Sequence, residues 1–142
     1  MSVDGQGGGL CVYALRLEPG MDLRADIQRF GLACNLKSGF ILTCVGSLSR
    51  ARLRLAARRE PSALEGRFEI VSLVGTLSPD GPHLHVAIAD DQGHVVGGHL
   101  LDGSVVYTTA EIVLAEADGL RFSRTIDEKT GFRELTIASR FS

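Results

Sequence analysis

Several things are missing from this sequence, and each absence closes off a class of protein. Tryptophan does not occur, aromatic residues amount to 6%, and the three cysteines (Cys11, Cys34 and Cys44) are an odd count with no Cys-x-x-Cys spacing. That argues against a disulfide-stapled scaffold and a cysteine zinc site; cysteines of this kind are expected as small buried hydrophobes. No apolar run approaches the roughly 20 residues a membrane-spanning helix needs, so no membrane partner is expected. The opening residues, Met1 to Gly9, have neither the basic nor the apolar region of a secretory signal. They are expected to form a flexible arm ahead of one domain over residues 10–142, in a reducing cytoplasm. Nor is positive charge in excess: 15 Lys and Arg face 17 Asp and Glu, for a net charge of −2. No global field draws such a chain to nucleic acid or to an anionic membrane, so either would need a local patch. Internal repeats, low-complexity blocks and dividing linkers are absent as well.

What is present suits a single α+β domain. A chain of 142 residues is long enough to bury a genuine core. Its 17 glycines suit a fold with many tight turns and bulges. Leu10 to Glu18 is apolar, then alternating, and stops at Pro19-Gly20, which predicts a first strand. Leu23, Ile27, Phe30 and Leu32 recur at close to helical spacing, which predicts a helix that begins near Asp22 and either tolerates Gly31 or ends near it. Phe40 to Val45 is a short apolar run, Gly46-Ser47 is a turn candidate, and Leu48 to Ala57 alternates. Arg67 to Leu77 is rich in β-formers and runs into Ser-Pro-Asp-Gly-Pro, a turn cluster. Further strands are predicted on either side of Asp90 to Gly93, over Val105 to Glu116, Leu120 to Ile126 and Phe132 to Ala138. Strands dominate and do not alternate with helices, so a mainly antiparallel or mixed sheet with one principal N-terminal helix is expected.

All four histidines fall between His83 and His99. His83 and His85, two apart in a strand, point to one face with Cβ atoms roughly 6–7 Å apart. Two imidazoles so placed converge on one ion at about 2.0–2.1 Å from each nitrogen. Asp91-Gln92-Gly93 has the form of a three-residue hairpin loop with glycine in the left-handed position. If Asp90 faces His94 across it, His85 lies opposite His99, and three histidines share one face of two neighbouring strands. His94 has the opposite parity. A bulge at Gly97-Gly98 would invert the parity of His99; alternatively the two glycines give the clearance that a ligand or water needs beside the backbone. Three neutral imidazoles leave a fourth position open, the pattern of a ligand-accepting or catalytic zinc (Zn2+) rather than a closed structural one.

Other polar residues fit around such a centre. Glu69, in an otherwise apolar strand, is the carboxylate candidate: an acceptor for an imidazole N–H, a fourth ligand, or a catalytic base for bound water. It is equally an outward-facing residue of an alternating strand. Arg16 and Lys37 are candidates for neutralising an anionic substrate, or are simply solvated charges. Arg50, Arg52 and Arg54 share one face of their strand, opposite Ala51, Leu53 and Leu55. That stripe is the one candidate nucleic-acid-binding feature, with Arg58 and Arg59 just beyond it; otherwise it is a charged face protecting an edge strand.

Taken together, Tyr13–Gly20 (YALRLEPG), Val45–Leu48 (VGSL), Gly66–Thr76 (GRFEIVSLVGT) and above all Gly81–Leu100 (GPHLHVAIADDQGHVVGGHL) resemble the PPC domain, named for plants and prokaryotes, in its stand-alone bacterial form. The resemblance runs from about Val12 to Thr136. It implies an α+β sheet domain that associates as a homotrimer. It also implies zinc held by His83, His85 and His99, with His94 outside the motif. The fold is similar to that of acetolactate decarboxylase, which carries a three-histidine zinc centre, but an analogy of fold and site does not transfer the reaction. In plants the domain accompanies AT-hook DNA-binding motifs. No Arg-Gly-Arg-Pro hook is present here, so DNA binding is borrowed from a segment this sequence lacks.

The function expected from these features is that of a DNA-binding or regulatory module with a three-histidine zinc site. The alternatives are a zinc enzyme using metal-bound water or a polarised carbonyl, and a sensor whose small anionic ligand caps the metal.

Overall fold

The computed structural model describes residues 8–140. Period-two apolar patterning sorts most of the chain into strands with one buried face. In order these are β1 (Leu10–Leu17), β2 (Gly39–Arg54), β3 (Ser62–Ser78), β4 (Gly81–Ala89), β5 (Val95–Leu100), β6 (Val105–Ala117), β7 (Leu120–Ile126) and β8 (Arg133–Ser139). One helix, α1 (Leu23–Ala33), follows β1. The expected α+β class holds, and every strand pairing is antiparallel.

Six strands form one sheet in the order β1-β6-β2-β3-β4-β5. The end of β2 also pairs with β5, Leu53 opposite Leu100 and Arg54 opposite His99. The run from β2 to β5 therefore closes on itself, and its inner face carries the core: Leu48, Ala51, Leu53, Leu84, Val86, Ile88 and Leu100 are all buried. Leu23 and Ile27, the one-turn pair on α1, are fully buried in the same cluster. The helix starts where Asp22 accepts the Ala25 N–H at 2.9 Å, a side-chain N-cap. β7 and β8 make a separate hairpin.

Two local expectations need correction, and a third is decided. Gly46-Ser47 is not a turn, because β2 runs straight through it. Gly46 sits at φ +155°, and a Cβ there would lie 2.2 Å from the Thr109 carbonyl oxygen of β6, so the glycine serves close strand approach. The helix tolerates Gly31, one of the two outcomes expected, and continues to Ala33; with no side chain, Gly31 lets the helix lie against Leu77. Of the cysteines only Cys44 is buried, and burial pushes its thiol up to about 11; Cys34 is half-buried and Cys11 exposed. The expected arm over residues 1–9 falls, up to residue 7, outside the described residues, while the Gly9 carbonyl accepts the Asp118 N–H at 2.8 Å. No helix among the described residues is long and apolar enough to cross a membrane.

Candidate metal centre

The β4–β5 turn sets the register on which the centre depends. The Asp90 N–H donates to the His94 carbonyl at 3.0 Å, and the Gly93 N–H returns to the Asp90 carbonyl at 3.1 Å. Gly93 takes φ +80°, the left-handed conformation a three-residue loop needs. The Asp90 carboxylate accepts the N–H groups of His94 at 2.8 Å and Gln92 at 2.9 Å, which hold its pKa below the usual range. From this turn the ladder runs unbroken, and His85 lies opposite His99.

His83, two residues before His85, shares their face. Ring centroids are 5.1 Å apart for His83–His85, 5.0 Å for His83–His99 and 5.6 Å for His85–His99. One nitrogen from each ring lies within 4.8 Å of the other two. His94 is exposed and turned to Asp90 instead. There is no bulge at Gly97-Gly98. A Cβ on Gly97 would stand 2.8 Å from the Val86 carbonyl oxygen of β4, and one on Gly98 would stand 2.8 Å from that of Arg54 in β2. The glycines thus make room for neighbouring backbone, and both also line the cleft beside the triad.

The electrostatics favour neutral rings. Burial, reinforced by Arg54 and then by the other two histidines, pushes His99 down to about 4. Burial, then Arg124 and His85, lowers His83. Neutral imidazoles offer lone pairs, the state in which histidine ligates a metal. The Nδ1 atom of His99 is buried and has no hydrogen-bond partner. A buried polar atom left alone calls for a partner outside the chain, and three converging nitrogen donors fit a borderline-soft divalent ion such as zinc.

The triad lies in a cleft of about 1170 Å³ lined also by Arg54, Gly97, Gly98, residues 55–59, the start of β4 and part of the β7–β8 hairpin. Glu69 is not brought there: it is exposed and sits opposite Ala89, whereas Val74 faces His85. Five residues along a strand is roughly 16 Å, too far for a ligand or a base. Arg16 bonds Thr109 at 3.0 Å and Lys37 bonds Asn35 at 2.6 Å, and neither lines the cleft. The arginine stripe does share one face, but its members differ in company. Arg50 pairs with Glu65 at 3.1 Å, Arg52 reaches the Asp102 carbonyl at 3.4 Å, and Arg54 stands beside His99. Arg124, Phe132 and Arg133 line the cleft without any sequence signal, because they arrive only when the last hairpin folds back.

The model of the Plants and Prokaryotes Conserved (PCC) domain matches residues 5–118. The chain belongs to this family. It is the domain resembled by the motifs above, and the match ends before β7. Over 130 residues, 92% of its length, the PCC chain is 54% identical to the bifunctional protein GlmU of Synechococcus sp. (strain JA-3-3Ab) and spans 21% of that protein. It is 26% identical over 117 residues to AT-hook motif nuclear-localized protein 8 of Arabidopsis thaliana, which covers 76% of this chain and 30% of the plant protein. The chain thus spans a third or less of the length of these relatives. Among solved structures, a Salmonella cholerae-suis protein superposes with a TM-score of 0.93 at 39% identity, covering 95% of this chain and 98% of that one. A metal-containing protein from Archaeoglobus fulgidus gives a TM-score of 0.81 at 28% identity, covering 96% and 99%.

Proposed function

We propose that this PCC domain is a regulatory binding module whose His83, His85 and His99 hold a zinc ion with one coordination position left for a small ligand, and that it works as a homotrimer in the cytoplasm. One observation carries the proposal: three imidazole nitrogens mutually within 4.8 Å at a cleft, one ring having a buried, unpartnered nitrogen. The metal content of the Archaeoglobus fulgidus protein supports it. Binding is read ahead of catalysis because Glu69 lies too far away to act as a base on metal-bound water.

Protein purified without chelator should carry about one zinc per chain, as three histidines and one open position imply. Joint replacement of His83, His85 and His99 by Ala should abolish that content, and His94→Ala should leave it unchanged. Failure of elemental analysis to find metal after zinc incubation would remove the reading.

A second reading, DNA binding, rests on the AT-hook relatives and the arginine stripe. With Arg50 and Arg52 already partnered, binding by the isolated domain at physiological salt should be weak. If DNA does bind, log affinity should fall against log salt by about 0.9 per phosphate contact, and replacing Arg50, Arg52 and Arg54 with Ala should flatten that slope. Tight binding that survives those replacements would place the interface elsewhere.

A further inference from the structure

Two guanidinium groups share the cleft with the histidine triad, and one of them lies outside the matched family segment. Arg54 is directly opposite His99 across the β2–β5 closure. Arg124, on β7 and outside residues 5–118, donates to Thr76 Oγ1 at 3.0 Å, and Thr76 is directly opposite His83. The Arg124 N–H is itself fixed by the Asp80 carboxylate at 2.7 Å. Both arginines line the same cleft as the three rings.

The charge around the triad is one-sided. The cleft is lined by five arginines against two carboxylates, Asp80 and Glu134, in a chain whose net charge is −2. Asp80 accepts the Arg124 backbone N–H and pairs with Arg133 at 3.8 Å, and Glu134 accepts the Thr130 hydroxyl at 3.0 Å. The side chains of Arg54, Arg58 and Arg59 have no hydrogen bond or ion pair among the described residues. A divalent ion on three neutral imidazoles would add to this surplus with no acidic ligand to offset it. The missing counter-charge must then come from what binds.

We propose that the cleft binds a small phosphorylated metabolite, its phosphate gripped by Arg54 and Arg124 and its body lying along Phe132 and the β2–β3 loop. A phosphate monoester brings close to two negative charges and three acceptor oxygens, enough for two guanidinium forks, where a lone carboxylate satisfies one. The volume exceeds the usual range for small-ligand pockets, leaving room for a sugar-sized body. Phe132 is 69% exposed at the cleft, an apolar surface for such a body to cover. A nucleic acid is the poorer occupant: the unpaired cations ring a cleft instead of tracking a ridge, and the two outward members of the arginine stripe are engaged. The metal half of this picture rests on the reading proposed above, whereas the phosphate grip does not.

Calorimetric titration of the full chain with ribose 5-phosphate, with ribose as the uncharged control, tests the proposal in zinc-loaded protein and in the His83/His85/His99 triple Ala variant. Ribose 5-phosphate should bind, ribose should not, and Arg54→Gln should weaken binding about tenfold, the equivalent of one charge-assisted hydrogen bond. Arg124→Gln should act in the same direction, and Arg50→Gln, outside the cleft, should have no effect. Arg54 has no partner to lose, so its variant keeps the test valid if Arg124→Gln fails to fold. Arg54-dependent binding in a protein that takes up no zinc would uphold the grip while overturning the metal reading. Zinc uptake without any binding of ribose 5-phosphate, or binding indifferent to both cleft arginines, would overturn the grip alone. A short DNA duplex that binds more tightly than ribose 5-phosphate through Arg54 and Arg124 would also overturn it, by assigning the cations to a polymer.

Discussion

At the scale of single residues, the histidines were legible and the glycines beside them were not. Parity along a strand and the chemistry of a three-residue turn are local rules, and they place His83, His85 and His99 together while leaving His94 out. Gly97 and Gly98 are also conspicuous in the sequence, but the contacts a side chain there would meet lie 11 and 44 residues away, at Val86 of β4 and Arg54 of β2. Adding a methyl group to either would press on a carbonyl oxygen that belongs to a paired strand and cannot swing aside. Gly97→Ala and Gly98→Ala should each destabilise the fold by about 1–3 kcal/mol, the usual cost of overpacking. Because either shift moves His99 relative to β4, zinc affinity should fall in the same variants. Thermal unfolding and a zinc titration check the two effects together, and a variant of unchanged stability would show that the strands have slack. Glu69 illustrates the converse failure. A carboxylate among apolar neighbours invites a functional role, yet its register opposite Ala89 makes it an outward-facing strand residue.

At the scale of elements, boundaries set by local chemistry are the ones the sequence conveys. The Asp90 turn, the Ser-Pro-Asp-Gly-Pro turn and the Asp22 cap each depend on side chains within a few residues of the backbone they shape. The continuity of β2 through Gly46-Ser47 depends instead on β6 lying against it. The closure of β2 onto β5 likewise has no local signature, although it is what delivers Arg54 to the cleft. Asp22 joins the two kinds of order. One carboxylate oxygen caps α1 through Ala25, and the other accepts the Gly103 N–H in the connection between β5 and β6. Asp22→Ala should therefore cost about 1–2 kcal/mol for the lost cap. The added loss at Gly103 should appear as faster amide exchange there, measured together with the melting temperature. A normal melting temperature would mean that water replaces both bonds at no cost.

At the scale of the whole molecule, burial is uneven. One face of the sheet holds the core and the helix, while Val45, Val71, Val74 and Val95 remain 55–60% exposed. Isolated exposed valines need no explanation, but several on one sheet are the surface an oligomer would cover. In the proposed homotrimer, light scattering at micromolar concentration should give about three times 15.2 kDa. A clean monomer would remove the assembly from the proposal and leave the histidine centre untouched, since all three ligands come from one chain.

The strand order also bears on how the protein is made. β1 pairs along its whole length with β6 and, among the described residues, with no other strand, from Leu10 opposite Ala117 to Leu17 opposite Ala110. During synthesis, which proceeds from the N-terminus, β1 is made first of the six strands in its sheet and is the last of them to find a partner. It must wait, with Leu10 and Val12 and an open edge, until almost all of β6 has left the ribosome, while β3, β4 and β5 can already zip with near neighbours. Contacts spanning so much of the chain are entropically costly to close and slow to form. The histidine hairpin can thus be in place before the sheet that carries it is complete.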